Sequence, residues 1–201
     1  IGKQFAIAGE FDYKFGTREW NNGMADQDID ALAGIVSFMG NFGDLSASLH
    51  YAYISGNDNS NDLTAYSPSM GTGKDFEPLY ILTGSVGNVL NGDRGPNTVG
   101  TAVRTSGAHA IVALADFKAS EDLTLHGGLG WGQADETEWL GPNIDDNYGW
   151  EFDLGMAYKL YDNLTYELHF GYWAVGDFAE LGGAMNTEDV YLLSHHLTMK
   201  F

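Results

Sequence analysis

The chain has 201 residues, no Cys, 27 Gly, four Pro and 13% aromatic residues, and its 28 Asp and Glu outweigh nine Lys and Arg to leave a formal net charge of −19. That charge excludes nucleic acid as a partner, since a run of phosphates would find nothing to neutralise it, and the absence of Cys excludes a disulfide scaffold or a thiolate metal site. The aromatic content speaks for a folded chain, because acidic disordered chains are poor in aromatics.

No segment approaches the ~20 apolar residues of a spanning helix, the longest uninterrupted apolar run being 110–115. The chain opens on Ile1 with no visible leader, which reads as a mature form, a fragment or a trimmed form.

Alternation of apolar and polar residues predicts strands over 4–16, 28–40, 45–55, 108–118, 123–133, 148–160, 164–174 and 190–201. The seventh is the clearest. Leu164, Tyr166, Leu168, Phe170 and Tyr172 occupy every second position, with Thr165, Glu167, His169 and Gly171 between them. Strand three, Leu45-Ser-Ala-Ser-Leu-His-Tyr-Ala-Tyr53, repeats that pattern, and strand five, Leu123-Thr-Leu-His-Gly-Gly-Leu-Gly-Trp131, repeats it more loosely. Each copy follows a tight acidic turn, so the recurring unit is a hairpin. The faces of strands two and four stay open at this level. On strand four Ile111 and Phe117 share one side, and Val112 and Leu114 the other.

The connections alternate in length. Short turns join strands two to three, four to five and six to seven, and long polar segments join the rest. That sorting is the pattern of an outer-membrane barrel. Aromatic residues bracket the strands on one face: Phe5 and Phe15, Trp150 and Tyr158, Tyr191 and Phe201. Ten residues at ~3.3 Å each, tilted by ~45°, climb ~23 Å, close to the ~25 Å apolar band of such barrels. The expectation is an all-β, antiparallel, up-and-down transmembrane β-barrel over 1–201, with 56–107 as a long extracellular or constriction loop within it.

The ending L-L-S-H-H-L-T-M-K-F resembles the C-terminal assembly signal of bacterial outer-membrane proteins, carried here by Tyr191, Leu197, Met199 and Phe201. Residues 157–178, the terminal strand and G-K-D-F-E-P-L-Y-I-L (73–82) resemble porins of sulfate- and metal-reducing bacteria. The resemblance implies the C-terminal part of a larger barrel in a Gram-negative outer membrane. It implies a homotrimer, contacts with lipid and lipopolysaccharide, and handling by the barrel assembly machinery. The function it implies is passive diffusion of small hydrophilic solutes or ions, with no cofactor.

The polar faces supply the candidate pore lining: His50, His126, Glu167, His169, His196 and Lys200, among small residues such as Ser46, Ser48, Gly128 and Gly130. Four of the six histidines fall on these faces. They allow a belt that binds a transition metal or titrates near neutral pH. Ordinary polar groups bonded to neighbours are the preferred reading, because metal ligation needs a convergence that spacing along separate strands does not show. The expectation is therefore no metal.

The loop 56–107 is too long for a simple connector. Its apolar stretch 78–82 suits folding back onto the wall, and Lys74, Arg94 and Arg104 are its candidate constriction cations. The acidic residues of the long loops, among them Asp58, Asp62, Asp135, Glu136 and Asp189, read as a solvated surface, and G-N-D-N-S-N-D (56–62) matches a calcium loop only weakly.

Catalytic motifs are absent. Ser194 beside His195 and His196 is not read as a triad, since strand neighbours point to opposite faces. The expectation is no enzyme. Two alternatives stand beside the porin reading. One is a closed eight-stranded barrel with a structural or surface-interaction role. The other is a soluble sandwich that stacks carbohydrate on Trp131, Trp150 and Trp173.

Overall fold

The computed structural model describes residues 4–58, 60–66, 78–83 and 106–201. Among these residues, eight strands form one antiparallel sheet in chain order. They are β1 (Phe5–Arg18), β2 (Gln27–Phe42), β3 (Leu45–Ile54), β4 (Ala108–Lys118), β5 (Leu123–Gln133), β6 (Asn147–Tyr161), β7 (Leu164–Val175) and β8 (Val190–Met199). Each expected strand is present, with ends within two residues of those read from alternation. The last one is shorter than expected. The β7–β8 ladder ends at Leu164 opposite Met199, so Lys200 and Phe201 lie beyond it. The Lys200 amide still donates to the Asn163 carbonyl at 2.9 Å.

The short turns are tight because the ladders run up to them. Phe42 pairs with Leu45 across Gly43 and Asp44, and Gly43 takes φ 70°, a left-handed conformation that glycine adopts without cost.

Residues directly opposite one another in a ladder share a face. One row runs Val36–Tyr51–Ile111–Trp131–Trp150, and its neighbour runs Ser37–His50–Val112–Gly130–Glu151–Trp173. The register thus decides the two strands that alternation left open. Val36, Phe38, Ile111 and Phe117 join the aromatic face, and Val112 and Leu114 join the polar one. The aromatic face is exposed, with Phe15 at 77%, Leu193 at 74% and Leu197 at 62%. This inverts the usual arrangement, in which a continuous apolar sheet face is covered.

Among the described residues β1 and β8 do not pair, so the sheet is not closed. The closed eight-stranded alternative lacks that seam. The stacked-sheet alternative also fails, because all eight strands belong to one sheet. Its three tryptophans do not form one platform. Trp131 and Trp150 lie together on the exposed face with ring centroids 6.2 Å apart, whereas Trp173 sits on the opposite face and donates its indole N–H to the Tyr148 carbonyl.

At the long-loop end, a register shift between Gly132 and Gln133 brings Tyr148 over Gly132. Tyr148, Phe178 and Ala134 form a buried cluster against Leu82, Trp139, Leu140 and Ile144. Asp135 departs from the expected solvated surface. Its carboxylate accepts the Gly56 amide at 2.9 Å and lies 3.0 Å from His109 Nε2, which ties the start of the long connection to the β4–β5 side of the sheet.

Candidate functional site

The polar face of β4–β7 carries a segment of the long loop. Residues 78–83 lie against it through two carboxylates of β6. Glu151 Oε1 and Oε2 accept the amides of Ile81 and Leu82, each at 2.6 Å, and Asp153 Oδ2 accepts the Tyr80 amide at 2.9 Å. Glu151 is 1% exposed and Asp153 2%. A buried carboxylate is costly unless hydrogen-bonded. Here successive backbone amides supply that bonding to both oxygens of Glu151 and to Oδ2 of Asp153, in the manner of an anion-binding nest, while Asp153 Oδ1 has no partner among the described residues. A hydrogen bond to a charged acceptor contributes about 1.5–3 kcal/mol, and one to a neutral acceptor about 0.5–1.5 kcal/mol.

Glycines on the sheet make room. A side chain at Gly130 would begin 2.3 Å from Leu79 Cδ1, and one at Gly155 would begin 2.4 Å from the Tyr80 hydroxyl. Leu79 and Ile81 are buried in this contact, worth about 1.5–3 kcal/mol each. Tyr80 packs edge-on against the His169 ring at 5.1 Å. Its hydroxyl pKa is pushed up to about 12, by burial first and then by the negative charges of Asp153, Asp116 and Glu167.

A second segment, residues 60–66, is tied to the start of β2 and the end of β3. The Leu63 amide donates to the Asp28 carbonyl at 2.7 Å, and the Tyr66 amide to the Ser55 carbonyl at 2.9 Å. Lys14 Nζ stands 5.0 Å from the Tyr66 ring centroid. The weak calcium-loop match falls in this segment. Its oxygens serve the turn instead: Asp58 Oδ1 accepts the Ser60 amide, and Asp62 Oδ1 accepts the Asp28 amide, both at 3.0 Å.

The candidate pore-lining residues divide into four groups. His50 is satisfied by two serines, Ser37 Oγ at Nδ1 and Ser48 Oγ at Nε2, both at 2.8 Å. His126 Nδ1 is paired with Asp116 across the β4–β5 ladder. Glu167, His169 and His196 converge, because Glu167 lies directly opposite His196 and His169 is two residues further along β7. Lys200 is exposed beyond the end of β8. Strand stagger separates His50 from the others. It shares a row with Glu151, whereas His126 and His169 share the row through Gly155.

Ser194 and His195 do point to opposite faces, but Ser194 and His196 share one, with Oγ 3.4 Å from Nε2. The triad argument therefore holds for His195 alone. Tyr191, Leu197, Met199 and Phe201 all lie exposed at the end of the chain. Lys74, Arg94 and Arg104 fall outside the described residues.

Sequence reading missed Glu151 and Asp153. The available signal was a pair of acids at alternate positions on the polar face of β6, between Gly149 and Gly155. No protein-family model, characterised protein or solved structure matches the chain significantly.

Proposed function

We propose that the chain is part of an outer-membrane porin, a water-filled β-barrel in a Gram-negative outer membrane through which small hydrophilic solutes or ions diffuse passively. The observation that carries the reading is the pairing of two faces. The aromatic face is bare, while the polar face holds an inward-folded loop segment on Glu151 and Asp153. Lipid would cover the first and water the second.

In lipid, unpaired backbone groups along a strand edge are expensive, so a spanning sheet has to close. Among the described residues the outer edges of β1 and β8 have no partner strand, which favours further strands and a barrel wider than eight. Within such a barrel, 78–83 narrows the bore as a constriction segment, and wall charges filter what passes. Assembly proceeds through the exposed aromatic ending at Phe201, and the finished barrel sits as a homotrimer among lipid and lipopolysaccharide.

Single-channel recording of the full-length protein in planar bilayers, with ion selectivity measured at two salt levels, tests this. Discrete conductance steps are expected. Their complete absence in correctly inserted protein would remove the channel and leave a structural barrel.

A further inference from the structure

The polar face carries a cluster that the docked loop touches only through the edge-on contact of Tyr80 with His169, and that does not pair internally as His126 does with Asp116. Glu167, His169 and His196 each present one ligand atom, and these atoms all lie within 4.8 Å of one another. The β7–β8 register builds the cluster. Glu167 and His196 are directly opposed, and His169 stands diagonal to His196 with ring centroids 5.4 Å apart. Opposed and diagonal positions of an antiparallel pair are the two within side-chain reach.

A second observation points the same way. Nδ1 of His169 is buried and has no hydrogen-bond partner among the described residues. Buried imidazole nitrogens are ordinarily satisfied. His50 shows the satisfied alternative on the same face, with a serine at each nitrogen. The contrast separates a structural histidine from one left with coordinating capacity.

We propose that Glu167, His169 and His196 form a binding site for a divalent metal ion of borderline softness, with Zn2+ as the reference ion. Two imidazoles and one carboxylate suit that class, whereas Mg2+ and Ca2+ prefer oxygen ligands throughout. In a tetrahedral site with bonds of about 2.0–2.2 Å, ligand atoms lie about 3.3–3.5 Å apart. The ligand atoms now lie within 4.8 Å of one another, so binding an ion requires them to draw together by roughly an ångström. Three protein ligands leave the fourth position to water or a solute group. Ser194 Oγ, 3.4 Å from His196 Nε2, supports the ring from outside the ligand set. His196 is exposed, and Glu167 and His169 are half-buried, so the ion has access from solution. The site depends only on the β7–β8 register, and stands whether or not this face lines a channel.

The test is calorimetric titration of the full chain in detergent with Zn2+ alone, in the presence and absence of excess Mg2+. One saturable ion per chain is expected, insensitive to Mg2+. Because outer-shell partners alone change metal affinity about 10–100-fold, loss of a ligand in His196→Ala or His169→Gln should weaken binding at least about tenfold. His195→Ala, on the opposite face, should leave it unchanged. His196 is exposed, so its substitution tests the site without threatening the fold. X-ray absorption at the zinc edge gives a separate readout, two imidazoles in wild type and fewer in either variant. Absence of saturable binding, displacement by Mg2+, or binding indifferent to both histidine variants overturns the site.

Discussion

Glu151 Oε1 accepts the backbone amide of Ile81 at 2.6 Å, across 70 residues of sequence and with both residues buried. A carboxylate on the middle of a strand thereby fixes a loop segment that leaves the sheet at the end of β3. The second oxygen of the same carboxylate takes the next amide along, that of Leu82.

Removing that carboxylate should release the segment. Glu151→Ala leaves two buried amides without an acceptor, a loss of about 1–3 kcal/mol for each. Hydrogen exchange in detergent should show the Ile81 and Leu82 amides losing protection, while the β6–β7 ladder keeps its own. Unchanged protection at both amides would show that burial of Leu79 and Ile81 suffices.

Glycine positions beneath and beside the site should differ in tolerance. At Gly155 the obstacle to a new Cβ is the end of the Tyr80 side chain, which can turn away. At Gly149 it is the Ala174 carbonyl oxygen at 2.1 Å, and φ is 105°. Gly149→Ala should therefore destabilise the protein by at least about 1–3 kcal/mol, the usual cost of a strained backbone. Gly155→Ala should chiefly loosen Tyr80. Unfolding by denaturant in detergent ranks the two, and equal loss would contradict the contact geometry.

The hydroxyl of Tyr80 gives a pH signature. Its pKa, raised to about 12 mainly by burial, means the folded state holds the neutral phenol more firmly than the unfolded chain, where the value is about 10. Stability from the docked segment is complete below about pH 10 and is lost as pH rises toward 12. Ultraviolet titration should show Tyr80→Phe removing one late-ionising tyrosine. The variant should also flatten the alkaline loss of protection at residues 79–82.

If lipid covers the aromatic face, the two faces respond oppositely to charge. Leu49 is exposed mid-strand on that face, and Ser48 lies beside it on the polar face. Leu49→Lys should cost about 2–4 kcal/mol in bilayer folding equilibria, the midplane value for a lipid-facing lysine. Ser48→Lys should cost much less. Equal effects would argue against a hydrocarbon environment.

The terminal aromatic makes a separable prediction. Phe201 lies past the last ladder pair and is fully exposed, so Phe201→Ala should leave folding in detergent unaltered. If the ending is an assembly signal, the same variant should insert poorly in cells, seen as a reduced heat-modifiable band in outer-membrane fractions. A fall in both assays would make Phe201 structural.

The strands and turns were legible in the sequence because their causes are local. Alternation at Leu164–Tyr172 forces one side chain up and the next down, and a two-residue turn such as Gly43–Asp44 sets the pairing beyond it. Strand four resisted this reading because both of its faces carry aliphatics. Only its partners' faces, Tyr51 on one side and Trp131 on the other, decide that Ile111 lies on the exposed aromatic face.

Alternation by itself placed the eight strands of the described residues and, within each strand, the residues that share a side. It did so because a two-residue period and a tight turn each involve only neighbouring residues. Which side chains from different strands meet was decided by the tertiary structure, since stagger between strands is a long-range property. That is why His50 falls level with Glu151 and away from His169, and why Glu167, His169 and His196 come together. The seating of residues 78–83 on Glu151 and Asp153 is of the same kind. Its hydrogen bonds join residues 69 to 73 positions apart, a distance over which no sequence period carries information.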